Sequence, residues 1–144
     1  MVQILQFIAT FCAAIFAGAA IYINIAEHPA RMAGDIRSAL RQWAISYKRA
    51  TLMQAPLAAV GFLASVAVWM LGASIWWLIA GLLIGAVVPL TLTVIMPTNR
   101  RLLAAEGESA ETRSLLEHWG RLQTLRRALS LLATALLLWQ LCTN

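Results

Sequence analysis

The chain has 144 residues, of which 61% are hydrophobic and only 12% charged, about half the charged share of an ordinary soluble domain. Its net charge of +5 and isoelectric point near 10.3 would suit nucleic acid, but the basic residues flank long apolar runs, where they orient a membrane protein instead. With a mean hydropathy of +0.76, this composition excludes a water-facing globule and a nucleic-acid partner, and points to one domain over 1–144 with the lipid bilayer as its solvent.

Every charged residue lies between Glu27 and Arg49 or between Arg100 and Arg127. A span needs about 20 apolar residues, so the first uncharged stretch predicts a membrane helix over about 4–25. Ala17-Gly18-Ala19 looks like a signal-peptide cleavage site. No Lys or Arg precedes the apolar stretch, however, and that stretch is too long for a signal sequence, so a retained helix is expected. A polar segment follows over about 27–49. His28 ends the first helix, where the negative end of the helix dipole favours it; read functionally, it is a proton acceptor at the bilayer edge. Trp43, Tyr47, Ala50 and Gln54 recur at the spacing of one helical face. They are either interfacial anchors above a helix-bonding amide, or an aromatic wall and polar hook for a flat ligand.

The uncharged stretch from Ala50 to Asn99 is too long for one pass and predicts two, over about 50–71 and 75–96, divided at Leu71-Gly72-Ala73-Ser74. Pro56 and Pro89 each remove a helix hydrogen bond, so both helices should kink. Gly81 and Gly85 form a G-x-x-x-G whose first use is close packing inside the bundle, with a homo-oligomer seam second. In the polar segment over about 97–121, Asn99 either caps a loop or turns its amide towards a cavity. The last helix covers about 122–142, and Trp119, Leu122 and Arg126 share one of its faces. Arg126 lies about a turn inside the membrane edge; such a residue either snorkels or serves function.

Both polar segments then face one side. Their basic excess makes it the cytoplasmic side of the inner membrane, with both termini outside. Trp69, Trp76, Trp77 and Trp139 fall at the opposite interface, where indoles anchor. Cys12 and Cys142 sit at different depths and read as small hydrophobes, not a disulfide. The two halves also resemble each other: RSALRQW (Arg37–Trp43) matches RSLLEHW (Arg113–Trp119), and each runs on into a basic pair and an alanine. Such a match predicts two parallel helical-hairpin repeats about an axis along the membrane normal, with any shared site drawn from both halves.

Walker, dinucleotide-binding and H-E-x-x-H motifs are missing, and no cofactor is predicted. Glu27-His28 and Glu117-His118 are sequence neighbours diverging by about 100° on a helix, so neither pair chelates a metal alone; a composite metal site and a haem stay open.

Four motifs, EHPAR (Glu27–Arg31), W-x-x-x-YKR with Met53-Gln54 (from Trp43), IMPTNRRL (Ile95–Leu102) and WGRL-x-x-x-R (Trp119–Arg126), resemble the anthrone oxygenase-like family of small four-helix membrane proteins over nearly the whole chain. In similar sequences the position of Gln123 often carries His or Asn. The resemblance implies an all-α membrane four-helix bundle. It also implies a cofactor-independent oxygenase or oxidoreductase acting on a flat, lipid-soluble, anthrone- or quinol-like aromatic at the cytoplasmic end. In such a reaction His28 is the expected base, and Arg126 with Asn99 the expected stabilisers of an enolate oxygen. Trp43, Tyr47, Gln54, Trp119, Arg31 and Gln123 are expected to hold the substrate. The alternative is a non-enzymatic membrane protein: a small-ligand binder, a transporter subunit or an assembly partner.

Overall fold

A computed structural model describes residues 1–143. Four helices, α1 (Val2–Met32), α2 (Ile36–Met70), α3 (Ile75–Ala104) and α4 (Ala110–Thr143), are each long and apolar enough to cross a membrane. They form an up-and-down bundle in which α1 and α3 each pack between α2 and α4. Large apolar side chains such as Phe7, Phe11, Leu52, Leu63 and Leu132 are exposed on its outside, as a lipid-facing surface requires.

The helices run well beyond the apolar stretches that predict them. Most of the polar segments 27–49 and 97–121 is helix, and only short turns join α1 to α2 and α3 to α4. Local caps explain the extension. Asp35 starts α2 by accepting from the Ser38 N–H at 3.1 Å and the Ser38 hydroxyl at 2.8 Å. Ser109 does the same for α4 by accepting from the Thr112 N–H at 3.1 Å. At the other end, the predicted turn between α2 and α3 reverses through Gly72 at φ +92°, a conformation that glycine adopts at little steric cost.

The prolines act unequally. The α2 helix continues through Pro56 without interruption, whereas α3 has a turn at Ala86 just before Pro89, whose missing N–H leaves a carbonyl one turn back unpaired. Two other prolines leave matching marks. Just before Pro29, α1 widens into a π-turn over Ile23–Glu27, closed by the His28 N–H donating to the Ile23 carbonyl. Just before Pro97, α3 widens over Thr91–Ile95, closed by the Met96 N–H donating to the Thr91 carbonyl. Both hairpins thus carry a π-turn just before a proline near the end of their first helix.

Packing divides into two clusters. Away from the charged end, Phe16, Trp77, Ile84 and Leu137 interleave with Ala9, Ala13, Ala58, Ala80 and Ala133. Small residues matter there because apolar burial gains little against lipid, and close van der Waals contact must hold the helices together. Gly81 and Gly85 press α3 onto α2: a Cβ on Gly81 would lie 2.8 Å from the Ser65 Cβ, and one on Gly85 would lie 2.9 Å from the Phe62 ring. The G-x-x-x-G motif is therefore used within the bundle. Trp69, Trp76 and Trp139 are exposed at this end as interfacial indoles should be, but Trp77 is fully buried and belongs to the core. At the charged end, Trp43, Trp119, Ile95, Leu102 and Leu116 form the second cluster.

Candidate functional site

The repeated Trp43 and Trp119 come from α2 and α4 and meet edge to face with ring centroids 6.1 Å apart. Tyr47 stacks on Trp43 at 4.6 Å and 10°. The place where the halves were expected to share a site is thus filled by packed aromatics. Open space lies to either side, in two grooves related by the repeat.

The larger is a cleft of about 420 Å³ between α2 and α3. Leu52, Val88 and Leu92 line it and are themselves exposed on the lipid-facing outside, so its mouth opens sideways towards the bilayer. Phe16 and Met96 extend the apolar wall, and Tyr47, Lys48, Thr51, Gln54, Thr91, Asn99 and Arg126 supply polarity. A cavity of about 20 Å³, lined by Tyr47, Asn99, Trp119, Gln123 and Arg126, adjoins them.

Arg126 is the electrostatic centre of this cleft. It donates to Gln54 Oε1 at 2.6 Å and to Gln123 Oε1 at 3.2 Å, and its guanidinium carbon lies 5.2 Å from the Phe16 ring centroid. Both hydrogen-bond partners are neutral. Among the described residues no carboxylate lies within ion-pair distance of it. Because arginine only donates, Gln54 must present its oxygen to it, which leaves Gln54 Nε2 free. Gln54 and Asn99 are 1% and 3% exposed, yet Gln54 Nε2, Asn99 Oδ1 and Arg126 Nε have no partner. A buried polar atom left unpaired costs roughly 1–3 kcal/mol, so two donors and one acceptor stand ready for a ligand.

His28 and Arg31 are placed elsewhere. His28 lines the second groove, between α1 and α4. Its ring lies 5.3 Å from that of Trp119 and over Gly120, where a Cβ would come within 2.5 Å of Nε2. Arg31 Nη1 is 3.3 Å from His28 Nδ1. Since the guanidinium only donates, Nδ1 accepts, and the proton of a neutral ring resides on Nε2. Arg31 also binds Glu27 at 2.5 Å and Ser46 at 3.3 Å; the Ser46 hydroxyl donates to the same Glu27 oxygen. Its guanidinium lies 5.7 Å from the Trp119 centroid. These contacts staple α1 to α2 beneath the aromatic pair.

Of the residues expected to build one pocket, the structure therefore brings Tyr47, Gln54, Asn99 and Arg126 to the cleft, and Gln123 and Trp119 to its small neighbour. Trp43 stands behind Tyr47, and His28 and Arg31 line neither the cleft nor its small neighbour. Sequence reasoning missed Phe16, Thr51, Thr91 and Met96. Thr51 was within reach, one turn from Tyr47 on the same helix, but nothing distinguishes Phe16 or Met96 from the apolar residues around them. Among the described residues no group of three His, Cys, Asp or Glu side chains is placed to hold a metal ion.

A family model described as anthrone oxygenase matches residues 43–136, well over half of the chain. No curated protein and no solved structure matches.

Proposed function

Since this chain belongs to the anthrone oxygenase family, we propose that it is a membrane oxidoreductase of the oxygenase type that takes a flat, lipid-soluble, anthrone- or quinol-like aromatic into the cleft between α2 and α3. The observation that carries this reading is the guanidinium of Arg126, held by neutral amides in a mainly apolar cleft. A cation so placed lacks a counter-charge, and an oxyanion forming on a ligand provides one. We also propose that this end of the bundle lies on the cytoplasmic side of the inner membrane with both termini outside, a reading that the basic excess of the two polar segments supports.

The chemistry follows from the donors. A ketone oxygen at Arg126 and Gln54 Nε2 acidifies the CH₂ group conjugated to it, while a neighbouring hydroxyl donates to Asn99 Oδ1. Loss of one CH₂ proton to water leaves an enolate whose charge rests on the oxygen those donors hold. The enolate carbon adds molecular oxygen to give a peroxide anion, which takes back one proton from water to give a hydroperoxide. That intermediate loses its remaining C–H proton and breaks its O–O bond, releasing water and leaving a second carbonyl. One O₂ is consumed, one oxygen atom stays on carbon, and both hydrogens leave as water. The carbanion is the reductant, so the scheme draws on no cofactor. With His28 outside the cleft, these donors carry the acidification and His28 contributes by packing against Trp119.

The test is oxygen uptake by purified protein with a panel of hydroxylated anthrones. Wild type should consume oxygen, Arg126→Gln should lose about 10²–10³-fold, as removal of an oxyanion donor does, and His28→Ala should keep most of the rate. Tight binding of the panel without oxygen uptake would favour a ligand binder instead. Full activity in Arg126→Gln would remove the basis of the scheme.

A further inference from the structure

The second groove is the repeat's counterpart of the cleft. With Trp43 aligned on Trp119 and Pro29 on Pro97, Asn24, His28, Thr124 and Arg127 of the groove match Leu92, Met96, Lys48 and Thr51 of the cleft. At two of these positions an apolar side chain of the cleft, Leu92 or Met96, has a polar counterpart in the groove, Asn24 or His28. We propose that the groove between α1 and α4, about 340 Å³ in volume, holds the headgroup of an anionic glycerophospholipid.

Three features carry this assignment. Position is the first: α1 has no charge before Glu27 and α4 has none after Arg127, so the groove sits where the helices leave the apolar layer and lipid phosphates lie. Charge is the second: Arg113, Arg121 and Arg127 line the groove with a single carboxylate, Glu117. Arg113 reaches Glu117 at 4.0 Å, while among the described residues Arg121 and Arg127 have no carboxylate within ion-pair distance. Guanidinium groups suit a phosphodiester because they offer paired donors.

Asn24 is the third feature, and it selects the kind of headgroup. Its amide nitrogen donates to the Gly120 carbonyl at 3.1 Å, which leaves Oδ1 as a buried acceptor with no partner. A phosphodiester has no proton to give it. A headgroup hydroxyl does, so phosphate on Arg121 and Arg127 with a glycerol-type hydroxyl on Asn24 satisfies both ends of the groove.

The experiment is native mass spectrometry of the whole protein released from micelles containing equal phosphatidylglycerol and phosphatidylcholine. Wild type should retain phosphatidylglycerol preferentially. Arg121→Gln and Arg127→Gln should each weaken retention roughly 5-fold, the value of about one juxtamembrane arginine, and Asn24→Leu should lower the preference for the hydroxylated headgroup. Arg100→Gln, an exposed arginine on α3 that does not line the groove, should change nothing, and unchanged melting of each variant would show that its fold is intact. Equal retention of the two lipids would overturn the proposal, as would wild-type retention by both arginine variants. Displacement of the lipid by millimolar glycerol phosphate would also overturn it, since the groove would then be a site for a soluble phosphate ester.

Discussion

Replacing Gly81 by alanine tests whether α2 and α3 are held at the distance that the small-residue seam implies. The added Cβ would stand 2.8 Å from the Ser65 Cβ and 3.5 Å from the Phe62 carbonyl oxygen. Ser65 Cβ is one bond from the main chain and cannot swing aside, so the helices must part by several tenths of an ångström. Overpacking of this kind costs about 1–3 kcal/mol. Alanine also gains up to about 1 kcal/mol of helix propensity over glycine, and that gain must be separated out. Gly18 provides the control, because a Cβ there meets nothing within 4 Å. Relative to Gly18→Ala, Gly81→Ala should lower the melting temperature in detergent by roughly 2–8 °C, followed by circular dichroism. Removing the opposing Cβ should undo this, so Gly81→Ala with Ser65→Gly should recover most of the loss. If Gly81→Ala melts with Gly18→Ala, or if Ser65→Gly gives no rescue, the seam between α2 and α3 is not a tight contact. Were the motif instead a homodimer seam, its effect would appear in oligomeric state and would not depend on Ser65.

Three further outcomes are expected. Gly120→Ala should displace the His28 imidazole and lower stability by about 1–2 kcal/mol, and His28→Ala in the same background should restore the melting temperature; a Gly120→Ala protein that melts as wild type would show that the ring moves freely. Asp35→Ala should lower the melting temperature at neutral pH by removing the α2 cap. The two hydrogen bonds from Ser38 hold the Asp35 carboxyl below its ordinary range. Its stabilisation is therefore present above the unfolded-state value and lost as pH falls through the lower folded one, so the gap between wild type and Asp35→Ala should close in acid and persist at pH 7. Alkaline phosphatase joined after Asn144 should be active and joined near Glu106 inactive, whereas the reverse would invert the orientation.

How much of this was legible in the sequence depends on what kind of force places each feature. The four passes follow from charge segregation and from the length of apolar runs, which act residue by residue. The glycine turn at Gly72 and the packing glycines Gly81 and Gly85 were readable for the same reason, since each is a local steric demand. The long helical extensions on the charged side were not, because the caps at Asp35 and Ser109 lie in polar sequence where hydropathy is silent. Trp77 shows the limit of a depth argument. It sits at the predicted interface along the helix axis, but one helical step from Trp76 turns it inward to the core while Trp76 faces out. His28 and Arg126 were expected together because both lie near the charged end. Their separation into two grooves depends on which neighbour each helix face meets, and spacing along one helix does not encode that.

The likeness of the two hairpins bears on why the proposed reaction is assigned to one groove and not to its counterpart. Two hairpins with the same π-turns and the same tryptophan would, if their sequences were identical, give two identical clefts. The counterparts of Asn99 and Arg126 are Arg31 and Ala50. Arg31 is neutralised by Glu27 at 2.5 Å and closed beneath Trp119, so its half has a paired cation. Ala50 carries no charge, so the guanidinium of Arg126 has no equivalent and leans towards Gln54 on the opposite half. The paired charge fixes the bundle, and the unpaired one remains free to meet a ligand. Exchanging these states, by giving Arg126 a carboxylate at position 54, should therefore stabilise the apoprotein and abolish oxyanion binding together. A Gln54→Glu variant that melts higher yet still consumes oxygen at the wild-type rate would contradict this division of labour.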